Sequence, residues 1–492
     1  MIKFPNPLGQ TAPIFLLTLL LTGLLHFLMA TGFELSTDEA HYALYANFPA
    51  LSYFDHPPLV GWAHLPVQWL YAPEQAPDVL LRLVPILSYA LTLGLLVNFA
   101  FRQFGHSAAR WTALILAVAP LPHMLGAAQV PDTLLMLWGA CLLTLTARLC
   151  RSNPVPQDWY WLGITLGLAG LSKYTAILLV PPMLVCLLRA HGLRPLKTPH
   201  PWIAVLLALS LISPVILWNA QHEWISFAYQ GAHGSGKQAW QFTKSLQQTL
   251  IQITAYGPLL TLLPLVLLRK TYRPGTGICL ALALPFLGIL LFLAGRSNAL
   301  PHWTAPAWVL LAPLAGLAAS QLSTQLSQRV IQGLLGFQAL LCVLIVAWML
   351  SGGTPDPHGL KNPPADLYGW QTAGRTAQRL ASEKGISHLA VQNWSIASRL
   401  AWYAAPLPVH VLDTRFDQFD LWYGDLPEGQ DALLVDWSPL PFELPVGPRQ
   451  FTRCLPLTQE AVERNHKVLS FFHFFHCQSW GGRADPVEKQ PS

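Results

Sequence analysis

The sequence predicts an α-helical polytopic membrane protein carrying a C-terminal soluble α/β domain, and three observations predict it. Hydrophobic residues make up 53% of the 492 and charged residues only 11%, whereas a soluble chain carries about 25% charged residues. Apolar runs of roughly 18 to 22 residues recur, the length that crosses ~30 Å of hydrocarbon, and the mean hydropathy is +0.39. After Ser351 the texture changes: SGGTPDPHGLKNPP is a Pro/Gly linker, and the linker and the residues beyond it together carry fifteen of the twenty-four acids.

The apolar runs give eleven spans: 11–31, 79–101, 108–126, 131–149, 159–171, 174–190, 201–219, 249–268, 276–294, 300–319 and 330–350. The fifth is short and could pair with the sixth as one broken or tilted unit. With the N-terminus inside, the inner segments hold twelve cations (Lys3, Arg102, Arg110, Arg148, Arg151, Arg189, Arg194, Lys197, Arg269, Lys270, Arg273, Arg329). The outer segments hold five: Arg82, Lys173, Lys237, Lys244 and Arg296. This positive-inside asymmetry predicts a cytoplasmic N-terminus and places everything after Leu350 outside. The acids fall the other way, since Glu34, Asp38, Glu39, Asp55, Glu74, Asp78, Asp132 and Glu223 lie outside and only Asp158 inside. A site built on carboxylates would therefore work on the outer face.

The first span has one cation before it and no A-x-A-like site after it, so it reads as a retained anchor. Of seven cysteines, five sit in or beside spans as small apolar residues; Cys454 and Cys477 fall in the outer segment, where pairing in an oxidising compartment is open. The net charge of +5 matches inner loops facing anionic lipid and gives no reason to invoke nucleic acid.

The chain divides into a membrane domain over 1–350, a periplasmic α/β domain over 351–480 and a disordered tail over 481–492. In the second, Tyr368 to Lys384 has helical spacing with Gly385 as its stop, and 388–392, 408–412 and 432–436 read as short buried strands. Helix alternating with strand points to a small layered α/β unit.

The chemistry concentrates in Thr37 to Trp62, TDEAHYALYANFPALSYFDHPPLVGW, just after the first span. Asp38 and Glu39 are adjacent, so on a regular backbone they point in different directions and have two jobs: one open to a substrate, the other tied to structure or a cation. A helix cap built from Ser36, Thr37 or Asp38 is the plainer explanation. Asp55 and His56 precede a double proline, which stiffens the backbone as a preorganised site requires, though such a sequence also makes an ordinary turn. Asp132, behind Pro131, sits at another outer boundary, where capping the fourth span is the alternative role. Lys173 in GLSKYT and Arg296 in GRSNALPHW add cations on that face; each could simply snorkel to the interface. Together they offer the positive field that a phosphate leaving group needs. His222 and Glu223 lie among aromatics in WNAQHEWISF, and Asp55, His56 and His222 are candidate ligands for a divalent ion. Outer-loop tryptophans (Trp62, Trp218, Trp224, Trp240) suit sugar stacking and interfacial anchoring equally.

HPPL after an aromatic and an acid, the Asp-Glu pair after the first span, and a later Asp beside the fourth resemble the protein O-mannosyltransferase superfamily of GT-C glycosyltransferases. GLSKYT, LPHWTAPAW, DLYGW and DTRFDQFDLW extend the likeness to its bacterial branch, which includes the lipid A aminoarabinose transferases. The resemblance implies a GT-C fold and an enzyme that moves a sugar, with inversion, from a polyprenyl-phosphate donor to an envelope acceptor: lipid A, another glycolipid or glycan, or protein. It implies Asp38 as catalytic base with Glu39 and Asp132 beside it, and Tyr42, Asp55, His56, Lys173, Arg296 and His302 as substrate-binding residues. The aminoarabinose transferases carry a lysine before Pro-Pro that touches the donor phosphate, where this chain has His56, as in the mannosyltransferase version. The competing class is a transporter or flippase of an undecaprenyl-linked glycolipid, which many spans and a charged outer cavity would also fit. Against it stand the lack of an internal repeat between halves, acids that avoid the span centres, and the large outer domain. A scaffold subunit, the third class, would need neither Asp38 nor Asp132.

Overall fold

The computed structural model describes residues 11–235, 239–267, 274–296, 299–354 and 362–483. Among the described residues, eight helices are long and apolar enough to cross a membrane: Ala12–Gly32, Asp78–Phe104, Pro131–Leu149, Tyr174–His191, Pro199–Gln221, Pro274–Leu293, Pro301–Gln321 and Gln325–Leu350. The fifth expected span is a separate 17-residue helix, Pro156–Ser172, one residue short of that length. Two expected spans are bent. Residues 249–268 are not one helix: Phe242–Tyr256 and Pro258–Val266 meet at 115°. Gly257, at φ +81°, turns the chain there and Pro258 starts the next helix, a pairing that a continuous helix cannot hold. Residues 108–126 likewise split into His106–Leu116 and Pro120–Ala127, bent by 70° at another N-terminal proline.

Six helices matter below: α1 (Ala12–Gly32), α2 (Thr37–Asn47), α3 (Leu83–Phe104), α4 (Pro131–Leu149), α5 (Pro156–Ser172) and α6 (Pro199–Gln221). The main core joins α3, α4 and Ala305–Gln321, with the last two nearly all buried. Apolar side chains on α1, α6 and Gln325–Leu350 stay exposed to the bilayer. Helix α5 reaches α6 through glycines. A Cβ on Gly163 would stand 2.3 Å from the Ala204 carbonyl oxygen, and one on Gly167 2.6 Å from Leu211. This small-xxx-small spacing lets two backbones approach where no hydrophobic effect drives helices together.

Beyond Leu350 the chain forms a five-stranded sheet flanked by helices. Helix α7 (Trp370–Lys384) ends at Gly385 in the left-handed region. Strands β1 (Leu389–Val391), β2 (Val409–Val411) and β3 (Ala432–Trp437) coincide with the three expected strands, and α8 (Trp394–Tyr403) connects β1 to its parallel neighbour β2. A long hairpin that the sequence reading does not contain, β4 (Phe451–Arg464) and β5 (Lys467–Trp480), completes the order β2-β1-β3-β5-β4. Cys454 and Cys477 are cross-strand neighbours on it and form a disulfide, while the other five cysteines are free. Alkylation of the denatured protein should therefore add five labels without reductant and seven with it, read by intact mass; seven without reductant would rule the bridge out. The tail expected to be disordered from Gly481 is tethered at its start, because Arg483 donates to Asp413 O and Val411 O and pairs with Asp420 and Asp425. Residues 484–492 lie outside the described residues.

This C-terminal unit is clamped onto the loop that follows α1. Glu34 accepts from the first amide of α7, Trp370 N, at 2.6 Å; Tyr403 accepts from Leu35 N and donates to Asp78, both at 2.8 Å; Gln418 accepts from Phe54 N at 2.7 Å. One apolar core runs from the end of α1 through α2 into α7 and α8. The loop holding the acids is thus held between two packed bodies rather than left free in water.

Candidate functional site

Helix α2 starts in a capping box: the Ser36 side chain accepts from Glu39 N, and Glu39 reaches back to Ser36 N. Ser36, not Asp38, is the cap. Side chains at consecutive positions diverge by about 100° around the helix axis, so Asp38 and Glu39 point to different surroundings. Glu39 is buried against Arg82, which donates Nε to one carboxylate oxygen at 2.7 Å and Nη2 to the other at 2.9 Å. Burial alone would raise the Glu39 carboxyl, but the Arg82 charge and hydrogen bonds and the Ser36 donors hold it below its ordinary value. Glu39 does not line the cavity described next, so the expectation of a catalytic Glu39 is corrected: its carboxylate is consumed by structure.

Asp38 faces a cavity of about 520 Å³ with His41, Tyr42, Asp55, His56, Asp132, Lys173 and His302. Among the described residues, nothing hydrogen-bonds or ion-pairs the Asp38 carboxylate. Burial pushes it up to about 6; His41 pulls it down, and the charges of Asp55, Asp366 and Glu39 add to the rise. The helix N-terminus favours the ionised form without reversing the balance.

The other acids are engaged. Lys173 places Nζ 2.7 Å from both oxygens of Asp132, and His302 Nε2 lies 3.7 Å away. The pairing depends on α5 ending at Lys173, whose extended backbone turns the chain out of the helix. Asp132 makes no cap hydrogen bond on α4, so neither the capping role for Asp132 nor the snorkelling role for Lys173 is realised. Asp55 accepts from Tyr45 Oη and lies 3.4 Å from His41 Nε2. The Ser398 hydroxyl donates to Trp394 O at 2.7 Å, so its oxygen accepts from His41 Nδ1 at 3.1 Å. The second ring nitrogen then meets Asp55 as an ion pair when protonated. Burial alone would raise Asp55, yet His41, His56 and the Tyr45 hydroxyl hold it well below the carboxylate range.

His56 is a neutral ring. Burial lowers it to about 4, with Lys173 adding, against the pull of Asp55 and Asp132, and its Nδ1 is buried without a partner. Desolvation outweighs the nearby acids, which would otherwise favour the charged ring. Tyr42 packs edge-on against it, ring centroids 5.5 Å apart. Arg296 is exposed and not part of the cavity wall. His222 stacks on Trp218 at 3.9 Å with Nδ1 on the Trp218 carbonyl, away from Asp55 and His56. Among the described residues, no group of three or more His, Cys, Asp and Glu side chains is poised to hold a metal ion. Trp62, Trp218, Trp224 and Trp240 are also absent from the wall.

The C-terminal unit supplies what sequence reasoning missed: Trp394, Arg415, Asp417 and Gln418. Arg415 donates Nη2 to Tyr229 Oη at 2.9 Å and its backbone N–H to the Asp413 carboxylate at 3.2 Å, and among the described residues its guanidinium has no carboxylate partner. Asp417 caps the short helix Gln418–Trp422; burial raises it to about 7, with Asp420 and Asp413 adding. Arg415 and Asp417 both belong to DTRFDQFDLW, which marked them only as part of a resemblance. The opposite wall, formed by Ile177, Leu178, Ile289, Leu290 and Leu293, is apolar. The cavity therefore runs from a hydrocarbon-like side, past the Lys173–Asp132 pair and the free Asp38, to a cationic rim.

A family model described as dolichyl-phosphate-mannose-protein mannosyltransferase matches residues 55–218. The lipid A galacturonosyltransferase RgtD of Rhizobium johnstonii is 26% identical over 186 residues, an alignment spanning 38% of each chain. Among solved structures, ArnT from Cupriavidus metallidurans, bound to undecaprenyl phosphate or in the apo state, superposes with a TM-score of 0.60 over 94% of this chain and 97% of that one, at 16% identity. The chain therefore has the ArnT-like GT-C fold, and over part of its length it resembles a lipid A galacturonosyltransferase.

Proposed function

We propose that the protein is an inverting glycosyltransferase of the bacterial inner membrane, moving a sugar from a polyprenyl-phosphate donor to lipid A or another envelope glycolipid at the periplasmic face. The observation that carries this reading is the cavity-facing Asp38, without a partner among the described residues, in the same cavity as a lysine oriented by Asp132. The isoprenoid lies along the apolar wall with its phosphate toward Lys173. Two N–H groups of that lysine serve Asp132, and the third remains for a phosphate oxygen. The acceptor oxygen attacks the anomeric carbon as its proton passes to Asp38; the bond between that carbon and the phosphate oxygen breaks, and polyprenyl phosphate leaves as an anion. Positive charge on the sugar ring in the transition state faces the same carboxylate. ArnT was crystallised with undecaprenyl phosphate and RgtD is named for lipid A, which supports donor and acceptor class by likeness.

The test is mass spectrometry of lipid A and envelope glycans from cells with the wild-type gene, a deletion, and the deletion complemented by Asp38→Asn. One sugar mass lost on deletion and not restored by Asp38→Asn at equal protein level is expected, and that mass names sugar and acceptor. Restoration by Asp38→Asn would sink the reading.

Two expectations follow for the purified enzyme. Because the base must be ionised and Asp38 titrates at about 6, kcat/KM should fall about tenfold per pH unit below 6; a flat profile down to pH 5 would remove Asp38 as base. Arg415→Gln deletes the rim cation without breaking any ion pair. It should lower kcat/KM by roughly 10- to 100-fold, the loss of a charge-assisted hydrogen bond, with a smaller change in thermal midpoint than Lys173→Met, which breaks the buried pair with Asp132.

A further inference from the structure

We propose a second site, unrelated to transfer: the arginine-lined cavity at the far ends of α3 and α4 holds the headgroup of an anionic phospholipid. Asp132 begins α4 and Arg148 ends it, so this cavity lies roughly 24 Å along the helix from the first, at the opposite boundary of the hydrocarbon. It encloses about 300 Å³. Arg102 and Gln103 from α3, Thr144 and Arg148 from α4, and Arg151 just beyond it form the polar wall, while Phe99 supplies an apolar floor. Among the described residues, no Asp or Glu lines it.

The charges are not cancelled. Arg148 donates Nε to Asp158 at 3.1 Å and ion-pairs with the same carboxylate through Nη2 at 2.5 Å, which leaves Nη1. Arg102 uses only Nε, on Asn98 at 3.2 Å, and Arg151 has no ion-pair partner among the described residues. Three guanidinium groups against one carboxylate leave a net charge of +2. The plainer explanation is that arginines near helix C-termini answer the helix dipole and the positive-inside bias. That accounts for their number but not for their convergence from two helices on one enclosed, carboxylate-free space, nor for their bonding side chains rather than terminal carbonyls. Guanidinium forks match phosphate oxygens, and a phosphodiester sits at this depth in a leaflet. The phosphate could come from a lipid or from solution; the apolar floor and the position at the bilayer boundary favour the lipid.

Native mass spectrometry of the purified full chain, offered phosphatidylglycerol or phosphatidylcholine, tests this. Wild type should retain phosphatidylglycerol at least about tenfold better, and Arg102→Gln with Arg151→Gln should lose that preference while leaving sugar transfer intact. The pair Arg102→Lys and Arg151→Lys, which keeps charge and removes the forks, should fall between and guards against a folding defect of the first. Equal retention of the two lipids, unchanged preference in the Gln variant, or displacement of the lipid by millimolar inorganic phosphate would overturn the assignment.

Discussion

Replacing Asp38 by Asn should lower the transfer rate by about 10³-fold, within the 10² to 10⁴ that a positioned general base contributes, and should leave the fold intact or slightly more stable. The two effects have opposite signs for one physical reason. Among the described residues nothing pairs with the Asp38 carboxylate, and burial together with three neighbouring acids raises it to about 6 from an ordinary 3.8. A carboxyl raised in the folded state favours the unfolded chain as pH climbs from below 3.8 past 6, so the ionised group costs stability at pH 7. Asn keeps the shape and removes that cost. Such a trade of stability for function is what a working site pays. The check is single-turnover transfer with a polyprenyl-phosphate sugar beside a thermal melt in detergent. Transfer within tenfold of wild type would make Asp38 structural; a lowered melting point would show that the carboxylate has a partner after all.

The sequence revealed the membrane helices because lipid and helix core both select apolar side chains, so each run is visible whichever way it faces. Bends were not visible, since a hydropathy window averages across Gly257-Pro258 and across the prolines at 120 and 122. The β4–β5 hairpin escaped for a different reason. Its turn is Asn465-His466, both at positive φ, where an Asn-Gly pair would have announced a two-residue hairpin. Pro456 and a register shift beside it further blur the strand pattern. In the site, the position of the acids was legible, because carboxylates stranded beside apolar runs are conspicuous. Their pairing was not: Glu39 meets Arg82 43 residues on, Asp132 meets Lys173 41 residues on. Charge counting in the loops cannot say which cation enters the cavity: it pointed to Arg296, and Arg415, in the C-terminal unit, was not among the cations counted. His56 shows the same limit, since its protonation turns on burial that no local motif encodes.

Breaking the Glu39–Arg82 pair should cost about 3 to 5 kcal/mol, the largest stability effect expected here, because either partner left alone is a buried charge without compensation. Both side chains are about 4% exposed. Arg82 does more than neutralise Glu39: Nη1 donates to Ala30 O and Phe33 O, and Nη2 to Glu34 O. It therefore closes the C-terminal carbonyls of α1 while anchoring the first turn of α2, the turn that carries Asp38. Lysine cannot serve all these acceptors from one nitrogen, so Arg82→Lys should fail almost as badly as Arg82→Met. Glu39→Gln keeps the size but loses the charge. The sign with pH follows from the lowered Glu39 carboxyl: its contribution is complete above the unfolded value of 4.5 and disappears as pH falls through the lower folded value. Thermal melts of Glu39→Gln, Arg82→Met and the double variant should show the singles far below wild type and the double less than additive, since removing both charges leaves neither stranded. Transfer by surviving Glu39→Gln protein should also drop, through displacement of Asp38, yet keep an acid limb, moved slightly below that of wild type because the Glu39 charge adds to the rise of the Asp38 carboxyl. Loss of the acid limb would mean that Glu39 itself titrates in the reaction. Additive losses in the double variant would mean that the two side chains act separately and that Arg82 matters only as the cap of α1.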